Sequence, residues 1–282
     1  MESELAIRMR KVCTHFGSHV VHRDLDLEVR RGEVFAIVGG SGSGKTVLLR
    51  EMIMLQQPNS GTVEVLGARV DTLNEAQIKV LRRRCGVMFQ HGGLFSSLTV
   101  RENVGLPLRE HSNLDNDLID AIADWKLSLT GLAGDAGLKY PDELSGGMLK
   151  RASLSRAIAL DPELLFLDEP TSGLDPASAA GVDGLIRRMH TLFGLTIVLV
   201  THDLDLLWQV CDRVAVLGEG RVLATGSMQE LSQVDHPIVR GYFEDPRARK
   251  ARARAEVEPD TEKPATSPPP AGAARSGQPS AG

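Results

Sequence analysis

The 282-residue sequence lacks several features that would assign it to a special class of protein. It has three cysteines, Cys13, Cys85 and Cys211, which lie far apart and show no CxxC or Cys/His spacing. A disulfide framework or a zinc site is therefore not expected. It also lacks an excess of basic residues, because its net charge is −5. That charge argues against sequence-independent binding to DNA or RNA, so we expect no nucleic-acid partner.

Long apolar runs are missing as well. No stretch approaches the about 18 apolar residues that a membrane-spanning helix requires. The opening segment MESELAIRMRKV alternates apolar and polar residues like a strand and lacks the apolar region of a signal peptide. We therefore expect a chain of the reducing cytosol, and any membrane role has to come through a partner protein.

Short apolar runs alternate with helical patterns, which predicts an α/β domain with a mainly parallel central sheet. The runs are 33–39, 86–90, 164–169, 196–202 and 213–226. The first 30 residues and GTVEVLG at 61–67 alternate more strictly and predict a small antiparallel β layer. Helical patterns dominate about 91–160, where Thr99 and Glu102 have the spacing of a capping box. We expect an α-helical subdomain there, within one domain spanning 4–244.

The composition changes at residue 245. Proline, alanine, glycine and serine dominate 245–282, and bulky apolar residues nearly vanish. Such a tail cannot bury enough apolar surface to fold alone, so we predict that it is disordered. Its first part is basic, with Arg247, Arg249, Lys250, Arg252 and Arg254. These side chains are either simply solvated or in contact with anionic lipid headgroups.

The segment GGSGSGKT, residues 39–46, follows an apolar strand and precedes a helical pattern. It matches GxxxxGK[ST], a loop whose backbone N–H groups and helix N-terminus bind nucleotide phosphates. We call it the phosphate loop. The lysine neutralises phosphate charge, and the threonine hydroxyl is a ligand for Mg²⁺. The predicted ATP-binding residues here are Gly39, Gly40, Ser41, Gly42, Ser43, Gly44, Lys45 and Thr46.

An acidic pair ends a second apolar strand, LLFLDEP at 164–170. Carboxylates at the C-terminal end of a central parallel strand face the crevice where ligands bind. We predict that Asp168 is a ligand of Mg²⁺ and that Glu169 polarises the water that attacks the γ-phosphate. Pro170 ends the strand because it cannot donate a ladder hydrogen bond.

A second glycine loop, LSGGM at 144–148, also precedes a helical pattern. Ser145 stands at the predicted N-cap, and Gly146 and Gly147 leave the helix N-terminus open to an anion. The loop lies more than a hundred residues from the phosphate loop and has no equivalent of its lysine. One nucleotide in one small domain could hardly use both loops.

At these motifs the chain resembles the nucleotide-binding subunits of ABC transporters, whose LSGGQ-type signature appears here as LSGGM. The resemblance covers about 4–232. It implies that two copies of the chain pair head to tail, and that the signature loop (144–148) of one closes over the ATP on the phosphate loop of the other. Ser145, Gly146 and Gly147 are then predicted to bind the partner's nucleotide.

The resemblance implies roles for four further residues. Gln90 matches the Q-loop glutamine, which approaches Mg²⁺ and the attacking water, and His202 matches the switch histidine that senses the γ-phosphate. Asp175 matches the D-loop that crosses the dimer interface. Phe16 lies where an aromatic ring stacks on adenine, although a core position is an equally good interpretation.

Two details resemble the ATPase subunits of MCE-type lipid transporters such as the Mla system. They are the signature ending in Met148 and the segment HGGLFSSLTVRENVGLPLREH at 91–111. The ending HPIVRGYFED at 236–245 also resembles that family, where a short helix follows the cassette. The resemblance implies phospholipid transport at the cytoplasmic face of a bacterial inner membrane. The implied partners are an MlaE-like permease, an MlaD-like MCE lipid-binding protein and an MlaB-like STAS-domain protein.

Two alternatives remain open at this point. An importer ATPase for polar solutes such as amino acids would share every hydrolytic residue and differ in its permease. A soluble ABC ATPase that acts on nucleic acid or ribosomes would have no membrane partner. Proteins of that last kind carry paired cassettes, coiled coils or zinc modules, none of which the sequence shows.

Overall fold

The computed structural model describes residues 5–90, 92–132 and 134–244. The predicted tail at 245–282 therefore lies outside the described residues. The strands are β1 (Leu5–Phe16), β2 (His19–Arg30), β3 (Val34–Gly39), β4 (Ser60–Val65), β5 (Ala68–Arg69), β6 (Cys85–Met88), β7 (Leu164–Asp168), β8 (Thr196–Val200), β9 (Arg213–Gly218) and β10 (Arg221–Gly226). The helices are α1 (Lys45–Met52), α2 (Glu75–Arg83), α3 (Val100–His111), α4 (Asn116–Leu129), α5 (Gly146–Ala157), α6 (Pro176–Phe193), α7 (Leu204–Val210), α8 (Met228–Leu231) and α9 (Pro237–Glu244).

The central sheet has six strands in the order β10-β9-β3-β8-β7-β6. Neighbouring strands from β9 to β6 are parallel, and β10 returns antiparallel to β9. Consecutive residues of β3 belong to different cores: Phe35 and Ile37 to one, Ala36 and Val38 to the other. This alternation explains why the strand is apolar throughout, because both faces of the sheet are covered.

A four-stranded antiparallel sheet in the order β2-β1-β4-β5 covers one face together with α1. The opposite face packs against α5, α6 and α7. A third, separate core joins α3, α4 and α5, with Val104, Ala123 and Ala152 fully buried. The expected parallel sheet, antiparallel layer and helical subdomain are thus all present.

Local sequence signals determine several boundaries. Thr99 and Glu102 form the expected capping box at the start of α3, and Ser145 is the N-cap of α5, accepting a hydrogen bond from the Met148 amide. The expected short helix near the end of the described chain is α9. Within the described residues, no helix is both long and apolar enough to cross a membrane.

Candidate nucleotide site

Sheet order brings the predicted hydrolytic residues to one edge. The strands β3, β8, β7 and β6 are adjacent and parallel, so their carboxyl ends lie side by side. Gly39 ends β3, Asp168 ends β7, His202 follows β8 and Gln90 follows β6. Residues separated by up to 163 positions in the chain, from Gly39 to His202, therefore line the same crevice.

The phosphate loop has the tight turn that its glycines predict. Gly42 and Gly44 have φ angles of 76° and 94°, in the left-handed region that favours glycine. At Gly44 a side chain is also excluded by space, because a Cβ would lie 2.5 Å from Nε2 of the buried His22. Only glycine therefore fits at position 44, the N-cap of α1. Because this N-cap has no side chain, the helix N-terminus stays open to a phosphate.

The side chain of Lys45 lies back across the start of the phosphate loop. Its Nζ donates to the carbonyl oxygens of Gly39 at 2.7 Å and Gly40 at 3.0 Å. Partial burial lowers the pKa of Lys45, and the carboxylates of Glu169 and Asp168 act in the opposite direction. An ammonium group held among carbonyls and near two carboxylates is suited to exchange these contacts for phosphate oxygens.

The acidic pair is in position at the end of β7. Burial is the largest cause that raises the pKa of Asp168, the charge of Glu169 adds to it, and Lys150 and Lys45 oppose it. Glu169 has a φ of 49°, which for a residue other than glycine costs about 1–2 kcal/mol. Its amide donates to the Val200 carbonyl at 2.8 Å. Such strain is retained where surrounding contacts constrain the backbone, typically at functional sites.

Glu169 and His202 meet directly. Oε1 of Glu169 lies 2.9 Å from Nδ1 of His202. The Glu169 side chain is 13% exposed and the His202 side chain 77% exposed. The carboxylate is therefore sheltered, while the imidazole remains accessible to a ligand that enters from solvent.

The donor set fits a nucleotide with Mg²⁺. No group of three or more His, Cys, Asp or Glu side chains suited to a metal occurs in the described part of the chain. Mg²⁺ typically uses one or two carboxylates plus substrate phosphates and waters. Asp168, the Thr46 hydroxyl and Gln90 would supply such a partial set, which is completed when ATP provides its own oxygens. The ion would neutralise charge on the phosphate oxygens.

The residues predicted to bind the partner's nucleotide lie outside this crevice, at the starts of α5 and α6. Ser145 and Gly146 are exposed at the start of α5. A Cβ at Gly146 would meet the Leu174 side chain at 3.3 Å, and one at Gly147 would meet Ser178 at 3.4 Å. Asp175 is the N-cap of α6, accepting from the amides of Ala177 and Ser178. The signature loop thus borders the segment that contains Asp175.

Phe16 is not a core residue. It ends β1, pairs with His19 across the hairpin and is 54% exposed. The core interpretation is therefore wrong, and the ring is accessible for stacking, which stays a prediction.

One residue at the crevice was missed by the sequence interpretation. Nζ of Lys150 on α5 donates to the carbonyl oxygens of Gln90 and Glu169. A lysine inside a helix, in a sequence with many exposed lysines and arginines, carries no signal of burial. The one sequence feature that sets Lys150 apart is its position two residues after the signature loop, and this position does not by itself predict burial.

Comparison with known proteins agrees with this geometry. A family model described as ABC transporter matches residues 22–172. The chain is 42% identical over 225 residues to the methionine import ATP-binding protein MetN of Ralstonia nicotianae, covering 78% of this chain and 64% of that protein. It is 37% identical over 227 residues to the intermembrane phospholipid transport system ATP-binding protein MlaF of Haemophilus influenzae, covering 80% of this chain and 86% of that protein.

A solved structure shares the fold. It is a dimeric ATP-binding cassette in a post-hydrolysis state, bound to ADP and Pi. The TM-score is 0.72 at 27% identity, over 78% of this chain and 98% of that chain. The expected P-loop NTPase fold of an ABC nucleotide-binding domain is thereby confirmed. The chain belongs to the ABC transporter family, in which it is an ATP-binding subunit that hydrolyses ATP with Mg²⁺.

Proposed function

We propose that hydrolysis takes place at the crevice where β3, β8, β7 and β6 end. Lys45 neutralises phosphate charge, Glu169 polarises the attacking water, and His202 holds the carboxylate and senses the γ-phosphate. The observation that carries this assignment is the 2.9 Å contact between Glu169 and His202 beside the phosphate loop. It joins a base to a group that orients it, which is the arrangement that general-base catalysis requires.

The second part of the proposal concerns the two glycine loops. Two copies pair head to tail, so that Ser145, Gly146 and Gly147 of one complete the ATP site of the other, with Asp175 at the interface. The exposure of the signature loop and the dimeric state of the solved relative support this arrangement. The exposed ring of Phe16 would stack on adenine.

Glu169→Gln tests the hydrolytic assignment. The amide cannot accept a proton from water, so we expect turnover to fall about 100-fold or more while ATP binding persists and the closed dimer accumulates. Glu219→Gln is the matched control, because Glu219 also has a left-handed φ, 55°, but lies in the turn between β9 and β10. A Glu169→Gln chain that kept most of its turnover would remove Glu169 from its role.

We further propose that the ATP cycle drives phospholipid movement between the inner and outer membranes. The MlaF relative and the resemblance of Met148 and of 91–111 to that class support it. The partners would be an MlaE-like permease, an MlaD-like MCE protein and an MlaB-like STAS-domain protein. The chain would then lie at the cytoplasmic face of the inner membrane.

Exposed apolar side chains next to Gln90 suit a permease contact. Phe89 and Phe95 are 40% and 53% exposed, and Leu138 and Tyr140 are 62% and 45% exposed. The Val100 amide donates to the Lys139 carbonyl at 2.8 Å, so the segment with Leu138 and Tyr140 adjoins the start of α3. Clustered exposed apolar side chains mark interaction surfaces.

Import of a polar solute is the second candidate, since the MetN relative is as similar as MlaF. Purification of the native complex from membranes separates the two. Co-purification of an MCE protein, with phospholipid found by mass spectrometry, supports lipid transport. A solute receptor in place of the MCE protein, with no bound lipid, would establish the importer and contradict the lipid proposal.

A further inference from the structure

Lys150 is a buried cation whose ammonium group turns toward the hydrolytic crevice. The residue is 6% exposed. Its Nζ donates to the Gln90 carbonyl at 2.7 Å, to the Glu169 carbonyl at 2.9 Å and to Oγ of Ser172 at 3.4 Å. An ammonium group has three N–H donors. All three are therefore used, and two of them bind the main chain of residues assigned to hydrolysis.

The Glu169 backbone depends on this contact. Its left-handed φ has to be imposed by neighbours. The carbonyl oxygen of Glu169 accepts hydrogen bonds from the Ser172 amide at 3.2 Å, from the Ser172 hydroxyl at 3.0 Å and from Nζ of Lys150. The bond from Lys150 is the charged one, and charge-assisted hydrogen bonds are the stronger kind. Lys150 on α5 therefore helps to determine the backbone conformation of Glu169 and, with it, the direction of the Glu169 side chain.

The same helix fixes the segment that follows Gln90. Arg156 donates to the Gly93 carbonyl at 2.6 Å, and a Cβ at Gly92 would lie 2.6 Å from Oγ of Ser153. Lys150, Ser153 and Arg156 are spaced by three residues and so share one helix face. This face of α5 contacts the main chain of Gln90, Gly92 and Gly93, whereas the first residues of the helix belong to the signature loop.

Charge adds to the geometry. Burial lowers the pKa of Lys150, and the carboxylates of Glu169 and Asp168 oppose that change. In return, Lys150 opposes the rise in the pKa of Asp168 that burial causes. The ammonium group and the two carboxylates therefore attract one another across the crevice.

We propose that Lys150 is a positioning residue for ATP hydrolysis, which holds Glu169 and Gln90 to α5 so that the signature end of the helix and the hydrolytic crevice move together. The inference rests on the proposed roles of Glu169 and Gln90. Within the described residues, Lys150 donates no hydrogen bond to the phosphate loop or to a side-chain carboxylate. Its loss should therefore affect the chemical step more than nucleotide binding.

Lys126 offers a matched control. It is also a buried lysine, 1% exposed, on a helix of the same subdomain. Its ammonium group pairs with the Asp161 carboxylate, which has no part in the proposed chemistry. Lys126→Met therefore reproduces the loss of a buried cation without touching the crevice.

Steady-state ATPase assays on the full-length chain test the proposal. Lys150→Met should lower kcat roughly 10- to 100-fold, as misplaced catalytic groups do. KM for ATP should change by less than about twofold, because binding contacts remain. Lys150→Arg should recover most of kcat, since a guanidinium also donates to carbonyl oxygens. Lys126→Met should lower Tm with kcat nearly unchanged.

Two results would overturn the proposal. One is a Lys150→Met chain with kcat near that of the unaltered protein. The other is a chain in which kcat, ATP affinity and Tm all fall together, as the loss of a purely structural lysine would give.

Lys150→Gln, which keeps one NH₂ donor group, gives a second variant if the methionine chain fails to fold. If Glu169→Gln blocks turnover and Lys150→Met does not, only this inference fails. If Glu169→Gln is active, the proposed function fails.

Discussion

The phosphate loop and the signature loop are both glycine-rich turns before a helix, but their surroundings differ. The phosphate loop follows the central strand β3, contains Lys45 and lies near Asp168 and Glu169 at the end of β7. The signature loop is exposed, and its glycines adjoin the uncharged side chains of Leu174 and Ser178. One loop lies beside the residues that we propose for hydrolysis, and the other has none of them beside it within the described part of the chain.

The difference shows why a local motif does not define a site. Both helix N-termini favour an anion. Among the described residues, only the phosphate loop also has counter-charge and the proposed general base, Glu169, beside it, so we expect hydrolysis at this loop alone. If the signature loop binds phosphate as we propose, the hydrolytic residues have to come from a second copy.

The largest expected effect comes from removing the charge at the first loop. Lys45→Ala should lower kcat/KM for ATP by about 1,000-fold or more, because phosphate charge is then left uncompensated at the loop. Nucleotide affinity should fall in the same variant, as measured by fluorescent ATP titration. Lys79→Ala on the exposed face of α2 is the control and should change neither quantity. An active Lys45→Ala chain would contradict the comparison outright.

A bulky residue at the second loop should separate binding from turnover. Gly146→Trp leaves the crevice intact, so the isolated chain should bind ATP within about twofold of the original affinity, while turnover falls about 100-fold because the paired site cannot close. Gly184→Trp is the control, since Gly184 is exposed on α6 and has open space around its Cβ position. Equal losses of ATP affinity in both variants would indicate unfolding instead.

A smaller effect concerns pH and stability near the crevice. Asp183 on α6 is buried and faces Asp203 and Asp205, so its pKa rises from 3.8 to about 7, with burial as the largest cause and Arg187 opposing it. Between pH 3.8 and about pH 7, Asp183 therefore keeps a proton in the folded chain that it has lost in the unfolded chain. The free energy of unfolding contributed by Asp183 is therefore fully present below about pH 4 and falls as the pH rises toward 7.

Asp183→Asn cannot ionise and should remove this dependence. The Tm of the variant minus that of the original chain should increase between about pH 4 and pH 7, as measured by thermal unfolding in matched buffers. kcat should change little, because Asp183 is not among the residues that we propose to bind or hydrolyse ATP. A Tm difference that stays constant over this range would show that Asp183 ionises normally in the folded chain.

The sequence predicted the fold well because its signals are local. Apolar runs located β3, β7 and β8, and the capping box at Thr99 and Glu102 located the start of α3. Gly44 was predictable from the motif alone. The position of His22 under Gly44 was not, because it depends on how the antiparallel sheet packs against α1.

The site required long-range information that no spacing contains. Strand order puts His202 beside Glu169, and a sequence gives strand order only through a resemblance. Lys150 could not be predicted because its role arises from tertiary hydrogen bonds to main-chain carbonyls, which any residue presents. Whether Phe16 is buried or exposed likewise depends on the β1–β2 hairpin, in which Phe16 lies next to the turn.

A mixing experiment tests the central claim most directly. Lys45→Ala and Gly146→Trp chains, each nearly inactive alone, are combined in equal amounts and assayed for ATP hydrolysis. If sites are shared between copies, each mixed pair contains one intact phosphate loop opposed by one intact signature loop, and activity should return to about a quarter of the original rate, since about half the pairs are mixed. A mixture no faster than the sum of its two components would contradict the account.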